Sequence, residues 1–202
     1  FRRVLFRSYS AWCEGIRAGR SYVSDGYAHT VDFRVNDVRP GEGEVKFATA
    51  GRINISTKVA FAAETPLAVA QGGITPRAGR SVVGDTVDLH GPRHEEMVRG
   101  GKRLVEIVVN GQVTASREVE ADGKMHDLTF DVPIRKSSWV ALRHFPQLHT
   151  NPVNVIVGDK PIRPSRQSAE WCLAVVDLLW KNRQSRIGAN EREDAEAAYN
   201  RA

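Results

Sequence analysis

Arg52-Ile53-Asn54-Ile55-Ser56-Thr57-Lys58-Val59-Ala60-Phe61 is the most regular stretch of this chain. Its side chains alternate with a period of two, the period of a strand, so Ile53, Ile55, Thr57, Val59 and Phe61 are expected together on one buried face. The neighbouring segments extend the pattern. Downstream, Leu104 to Val109 and Gln112 to Val119 bracket Asn110-Gly111, the dipeptide that suits a tight hairpin because both turn positions need positive φ. Ala121-Asp122-Gly123 then turns the chain into Met125 to Val132, so residues 103 to 132 read as a three-stranded meander, with Trp139 to Arg143 as a fourth strand. Upstream, Ser21 to Ser24 and Thr30 to Val35 flank Asp25-Gly26 and read as a strand pair, with Val31, Phe33 and Val35 on its buried face. Pro40 and Gly41 to Gly43 lead into Val45 and Phe47.

Both ends read as helical. Ser10 is placed to cap a short helix carrying Trp12 and Ile16, which Gly19 closes in a left-handed conformation. Pro164-Ser165 opens a longer helix, whose Cys172, Val175, Val176 and Leu179 form a stripe expected to pack on the sheet. Arg183 to Gly188 breaks it. Asn190 and Glu193 then have capping-box spacing for a further helix, in which Ala195, Ala198, Tyr199 and Ala202 stay in phase to the last residue. The expected fold is therefore mainly β: an antiparallel sandwich-like domain with a short N-terminal helix and a C-terminal helical hairpin. Trp12, Trp139, Trp171 and Trp180 are expected in the core. Between residues 62 and 101, three prolines and seven glycines predict a long excursion, in which Val82, Val83, Val87 and Leu89 supply one or two short strands.

Composition narrows the function classes. Residues 1–8, Phe-Arg-Arg-Val-Leu-Phe-Arg-Ser, are what a common sequencing adapter gives when translated in one frame, and they are set aside as a scar. The scar holds three arginines and no acid, so the net charge falls from +5 to +2. With it goes the compositional argument for a nucleic-acid partner, and the remaining cations are scattered among acids. No run of 18 apolar residues offers a membrane span. Cys13 and Cys172 lack the spacing of a zinc knuckle or redox motif. A serine-hydrolase elbow, a phosphate-binding glycine loop and a dinucleotide fingerprint are all missing.

The polar signals gather in residues 137 to 163. Ser137-Ser138-Trp139-Val140-Ala141-Leu142-Arg143 reads as a buried strand. Pro146 and His149-Thr150-Asn151-Pro152 make a turn, Val153 to Val157 a second strand, and Gly158 to Pro161 a break before Ile162-Arg163. With Ser168-Ala169-Glu170-Trp171-Cys172 this pattern resembles the C-terminal region of the carbaryl-hydrolase-like (CehA/McbA) metallohydrolases of the polymerase-and-histidinol-phosphatase (PHP) superfamily. Trp12 with Gly15 to Gly26 is similar to the segment with which such proteins leave their catalytic barrel, and Val105 to Gly111 also fits. The resemblance runs collinearly over residues 9 to 202, without a catalytic motif in it. It implies four parts: the scar (1–8), the end of a truncated barrel (9–27), an accessory β-sandwich (28–163) and a truncated helical hairpin (164–202). It also implies a partner, the missing upstream barrel, which would hold the divalent metals; no cofactor is expected in the fragment itself.

The candidate site residues follow. A site of this superfamily starts from a His-x-His pair, and none occurs here; His90 and His94 are the only pair with a metal-like spacing, weakened by their Gly/Pro-rich surroundings. Arg20 and Arg143 could take an anionic substrate group in a bidentate contact, although an arginine at a strand end more often pairs with an acid. His149 could approach an active-site mouth or simply cap its turn. The rival from a different class is a stand-alone ligand-binding sandwich, carbohydrate-binding in type, which exposed aromatics on one sheet face would favour.

Overall fold

A computed structural model describes residues 8–66, 97–145 and 147–201. The chain forms two compact units that meet in sequence between Ile162 and Arg163. Among the described residues, the first holds helix α1 (Tyr9–Arg17) and twelve strands: β1 (Tyr22–Ser24), β2 (Ala28–Val35), β3 (Glu44–Phe47), β4 (Gly51–Phe61), β5 (Glu64–Pro66), β6 (Met97–Arg99), β7 (Lys102–Val109), β8 (Gln112–Glu120), β9 (Met125–Ile134), β10 (Ser138–His144), β11 (Leu148–Thr150) and β12 (Val153–Val157). The second holds α2 (Arg166–Arg183), a 3-10 turn at Gln184–Arg186 and α3 (Arg192–Tyr199).

Two sheets make the sandwich. One is the antiparallel trio β2-β4-β9, and the other runs β8-β7-β10 and onward across β10. The free edge of β10 is shared: its N-terminal half pairs with β12 (Trp139 opposite Asn154) and its C-terminal end with β11 (Arg143 opposite His149). β11 and β12 are thus one strand broken at Asn151-Pro152, where one extra residue is accommodated as a bulge. Outside the broken strand, β1 lies antiparallel to β11 and β3 parallel to β12. With β2-β4-β9 facing β8-β7-β10-β12, this is the Greek-key order of immunoglobulin-type sandwiches. The alternation that marks β4 is realised in full: Ile53, Ile55, Thr57, Val59 and Phe61 are all buried. The four apolar ones pack with Phe130 and Val132 of β9 and, across the sandwich, with Val105, Ile107, Val140, Leu142, Val153 and Val155 in a single core.

Several expectations need correction. The meander does not form: β7 and β8 are a hairpin, closed by Asn110 (φ 51) and Gly111 (φ 85), but β9 belongs to the opposite sheet. The backbone of Gly123 donates to the Phe61 carbonyl at 2.9 Å, which hooks the turn onto the end of β4 and starts β9 beside that strand. β1 and β2 do not pair with each other either. β1 stays on β11, and Asp25, whose N–H donates to the Gln147 carbonyl at 3.1 Å, begins a turn that carries the chain to the other sheet. Within β2 the predicted phase is inverted at its start: Thr30 is 4% exposed and Val31 48%. The cause is a bulge between Val31 and Arg34, where Asp32 takes φ 61 and absorbs one residue of the repeat, so that Phe33 and Val35 still face inward. Buried Thr30 is satisfied by the Thr57 hydroxyl at 2.8 Å.

At the helices, Ser8 rather than Ser10 caps α1, its Oγ accepting from the Ala11 N–H at 3.1 Å. The longer helix opens where expected, with Ser165 capping α2, whereas α3 begins after Glu191 with no side-chain cap in place of the expected Asn190 box, and closes at Tyr199. No residue of α2 is buried; Val175 and Val176 are half-buried, and Cys172 and Leu179 are exposed. Trp171 is 67% exposed and Trp12 42%, so neither is a core residue. Trp180 is half-buried beneath Tyr199, with ring centroids 5.2 Å apart. Both cysteines are free thiols. The two ends of the 62–101 excursion are tied together by β5 and β6, with Glu64 opposite Arg99. Its remainder, including the short strands expected at Val82 to Leu89, lies outside the described residues.

Candidate functional site

The polar residues of the 137 to 163 stretch are largely occupied in holding the fold. Ser137 Oγ accepts from the Val157 N–H at 2.9 Å and donates to the Lys160 carbonyl at 2.5 Å. Thr150 Oγ1 accepts from the Leu142 N–H at 3.0 Å, filling a ladder position that the strand break leaves empty. Asn151 Nδ2 donates to the Gly19 carbonyl and to Ser21 Oγ, both at 3.0 Å. Arg143 Nε donates to Glu106 Oε2 at 2.6 Å, an ion pair between adjacent strands. His149 is exposed, and its Nδ1 lies 2.6 Å from the carbonyl of Thr150, within the turn.

Arg20 is differently placed. Helix α1 ends in a Schellman motif: the N–H of Gly19 (φ 76) donates to the Ile16 carbonyl and the N–H of Arg20 to the Gly15 carbonyl, each at 2.9 Å. The residues on either side of Arg20 are both held by the Asn151 amide. Gly41 (φ 75) packs so closely beneath that a Cβ there would stand 2.0 Å from the Ala18 carbonyl oxygen and 2.8 Å from Arg20 Cγ. Only glycine allows this approach.

Arg20 lines an open cleft of about 610 Å³. The cleft lies along β2, an edge strand of its sheet, and reaches Tyr22 of β1, Thr150 of β11 and Lys58 of β4. Its far wall is the β2–β3 loop, with Arg39, Pro40 and Glu42. Asp32 anchors that loop. Its Oδ1 accepts from Arg34 Nε at 2.8 Å and lies 2.6 Å from Arg39 Nη2. The hydrogen bonds from Arg39 and then Arg34 hold this carboxyl below the ordinary value of 3.8, against a smaller opposing effect of desolvation. A left-handed aspartate inside a strand is a conformation that persists only where its surroundings fix it, and here two arginines do so. Arg39 also approaches Glu42, at 3.5 Å.

Of the residues singled out in the sequence, the cleft therefore contains Arg20 but neither Arg143 nor His149. His90 and His94 lie outside the described residues. Among the described residues, no group of three or more His, Cys, Asp or Glu side chains is arranged to hold a metal ion. Asp32, Arg39, Lys58, Tyr22 and Asn151 were not singled out as site residues in the sequence. The one available signal was the Arg39-Pro40-Gly41 turn, because Asp32 holds an ordinary polar position in the Val31, Phe33, Val35 alternation.

A second polar chain lies elsewhere in the sandwich, with His144 and Gln147 buried and Asp25 at its exposed end. Gln147 Nε2 donates to Asp25 Oδ2 at 3.0 Å, and its Oε1 lies 2.9 Å from His144 Nε2. His144 Nδ1 is 2.8 Å from the Leu104 carbonyl, and the ring meets Phe61 edge-on at 5.0 Å. This chain of contacts joins three strand ends. Among the described residues, no helix is long and apolar enough to cross a membrane. No protein-family model matches the sequence, and no curated protein matches it either.

Proposed function

We propose that this chain is the accessory β-sandwich portion of a PHP-type metal-dependent hydrolase, and that its catalytic barrel, with the divalent metals, precedes Tyr9 in the parent protein. On this reading the chain is not itself the catalytic part. The reading starts from the resemblance carried by residues 137 to 172 and 12 to 26, and the observation that supports it is the state of α1. Tyr9, Trp12 and Ile16 recur at helical spacing and are 79%, 42% and 49% exposed, with the Tyr9 and Trp12 rings stacked 5.8 Å apart. Nine residues are too few for a helix to be stable in isolation. This one is tied to the sandwich at its C-terminal end and turns an apolar edge outward, as suits a segment arriving from an adjoining domain.

The gene upstream of the Tyr9 codon provides the test. An open reading frame containing a His-x-His pair and further His and Asp ligands is the expected result. A start codon or leader immediately before Tyr9 would overturn the proposal. The second reading, a stand-alone ligand-binding sandwich, is favoured by the cleft beside β2, where Tyr22 is a partly exposed aromatic.

A further inference from the structure

The charges lining the β2 cleft are unevenly spent. Asp32 is occupied by Arg34 and Arg39, Glu42 lies against Arg39, and Lys58 Nζ is 3.1 Å from Asp127 Oδ1. Arg20 is the one charged lining residue without a carboxylate partner among the described residues. It is also the one whose backbone is most firmly fixed, by the Schellman turn, by Asn151 on both flanks and by Gly41 beneath its stem. Around it the wall is apolar: Tyr22, the outward-facing Val31 and Pro40. A cleft of about 610 Å³ is in the size range of small-molecule sites.

A guanidinium carried on a fixed backbone beside an apolar wall is complementary to an anionic head on an apolar body. The planar fork of arginine matches a carboxylate through two parallel hydrogen bonds. A cationic ligand would find both lining acids already engaged by arginines. A bare inorganic anion would leave the apolar wall in contact with water, and a neutral sugar would leave Arg20 without a counter-charge. We infer that the β2 cleft is a binding site for a small organic carboxylate with an aromatic or aliphatic body, its carboxylate held by Arg20 and its body laid against Tyr22, Val31 and Pro40. This assignment goes beyond the proposed accessory role and does not depend on it, because every group it uses belongs to this chain.

The test titrates the full 202-residue chain by calorimetry with two probes of the same shape, biphenyl-4-acetate and the uncharged biphenyl-4-acetamide. The carboxylate is expected to bind about tenfold more tightly than the amide, the preference typical of a charge-assisted pair. Arg20→Gln, a change at an exposed position, removes that preference and leaves amide binding intact. Val31→Glu places a like charge on the wall and abolishes carboxylate binding, while circular dichroism confirms that the sandwich is folded. Equal binding of the two probes by the unaltered chain, an unchanged preference in Arg20→Gln, or no binding of either probe would each overturn the inference.

Discussion

Gly41→Ala tests the contact on which the cleft depends. Two costs combine at this position. An L-residue at φ 75 loses roughly 1–2 kcal/mol to the clash between its Cβ and the backbone. The added methyl would also stand 2.0 Å from the Ala18 carbonyl oxygen, a distance that no rotation relieves because the neighbour is backbone. Either the β2–β3 loop or the end of α1 must move, and overpacking of this kind costs about 1–3 kcal/mol. The total is about 2–5 kcal/mol, a large part of the stability of an ordinary domain. Gly111→Ala is the internal reference: φ is 85 there and nothing lies within 4 Å of an added Cβ, so it carries the torsional cost alone. Urea unfolding followed by the far-UV β signal should place Gly41→Ala at least about 1 kcal/mol below Gly111→Ala, with an unchanged slope. Equal destabilisation of the two variants would mean that the loop does not rest on the Ala18 carbonyl, and the account of how Arg20 is positioned would fail with it.

Three further outcomes follow from the hydrogen bonds and charges described above. Asn151→Ala removes both bonds from its amide to Gly19 and Ser21 and should cost about 1–2 kcal/mol in urea unfolding; a neutral result would show that these bonds contribute nothing to holding α1. Gln147→Leu leaves one ring nitrogen of buried His144 without its partner and removes a bond to exposed Asp25, and should cost about 1–3 kcal/mol. Combining it with Asp25→Asn should add less than the two single losses, and strict additivity would refute the chain of contacts. Asp32→Asn keeps a residue tolerant of positive φ and removes only the charge. Because the folded carboxyl sits below its ordinary value, its stabilising contribution is complete above pH 3.8 and is lost as pH falls from there through the folded value. The melting temperatures of the two proteins should therefore differ by a constant amount near neutrality and converge in acid. A gap that persists undiminished to the lowest accessible pH would contradict the ion-pair assignment.

The strands were legible wherever local pattern and turn chemistry decide. β4 declares itself by five inward side chains in ten residues, and the β7–β8 hairpin by the positive-φ pair Asn110-Gly111. Partnership between strands was not legible, because β4 pairs with β9 across some seventy residues and no turn signal records which sheet a departing strand will join. Val31 was misplaced because a period-two count cannot see that Asp32 adopts a left-handed conformation. The same limitation hid the candidate site. Arg20 drew notice as a cation in a recognisable segment, but Tyr22, Asp32, Arg39 and Lys58 converge on it only through the pairing of β1 with β11 and the bulge in β2. His149 and Arg143 attracted attention by residue type alone, and what the type could not tell was that one turns back on its own backbone and the other faces Glu106.

The break at Asn151-Pro152 has a further effect, on self-association. An unbroken strand running from Leu148 to Val157 would call for an equally long outer neighbour, and that neighbour would offer a long row of open amide and carbonyl groups to any second chain. Here the margin is divided between β1, of three residues, and β3, of four, running in opposite senses relative to the strand they cover. An incoming strand of either polarity can match only one of them before its register fails. Short, disagreeing margins are among the ways β proteins avoid sheet-to-sheet aggregation, and in this chain the protection arises from a single proline-containing interruption one strand further in.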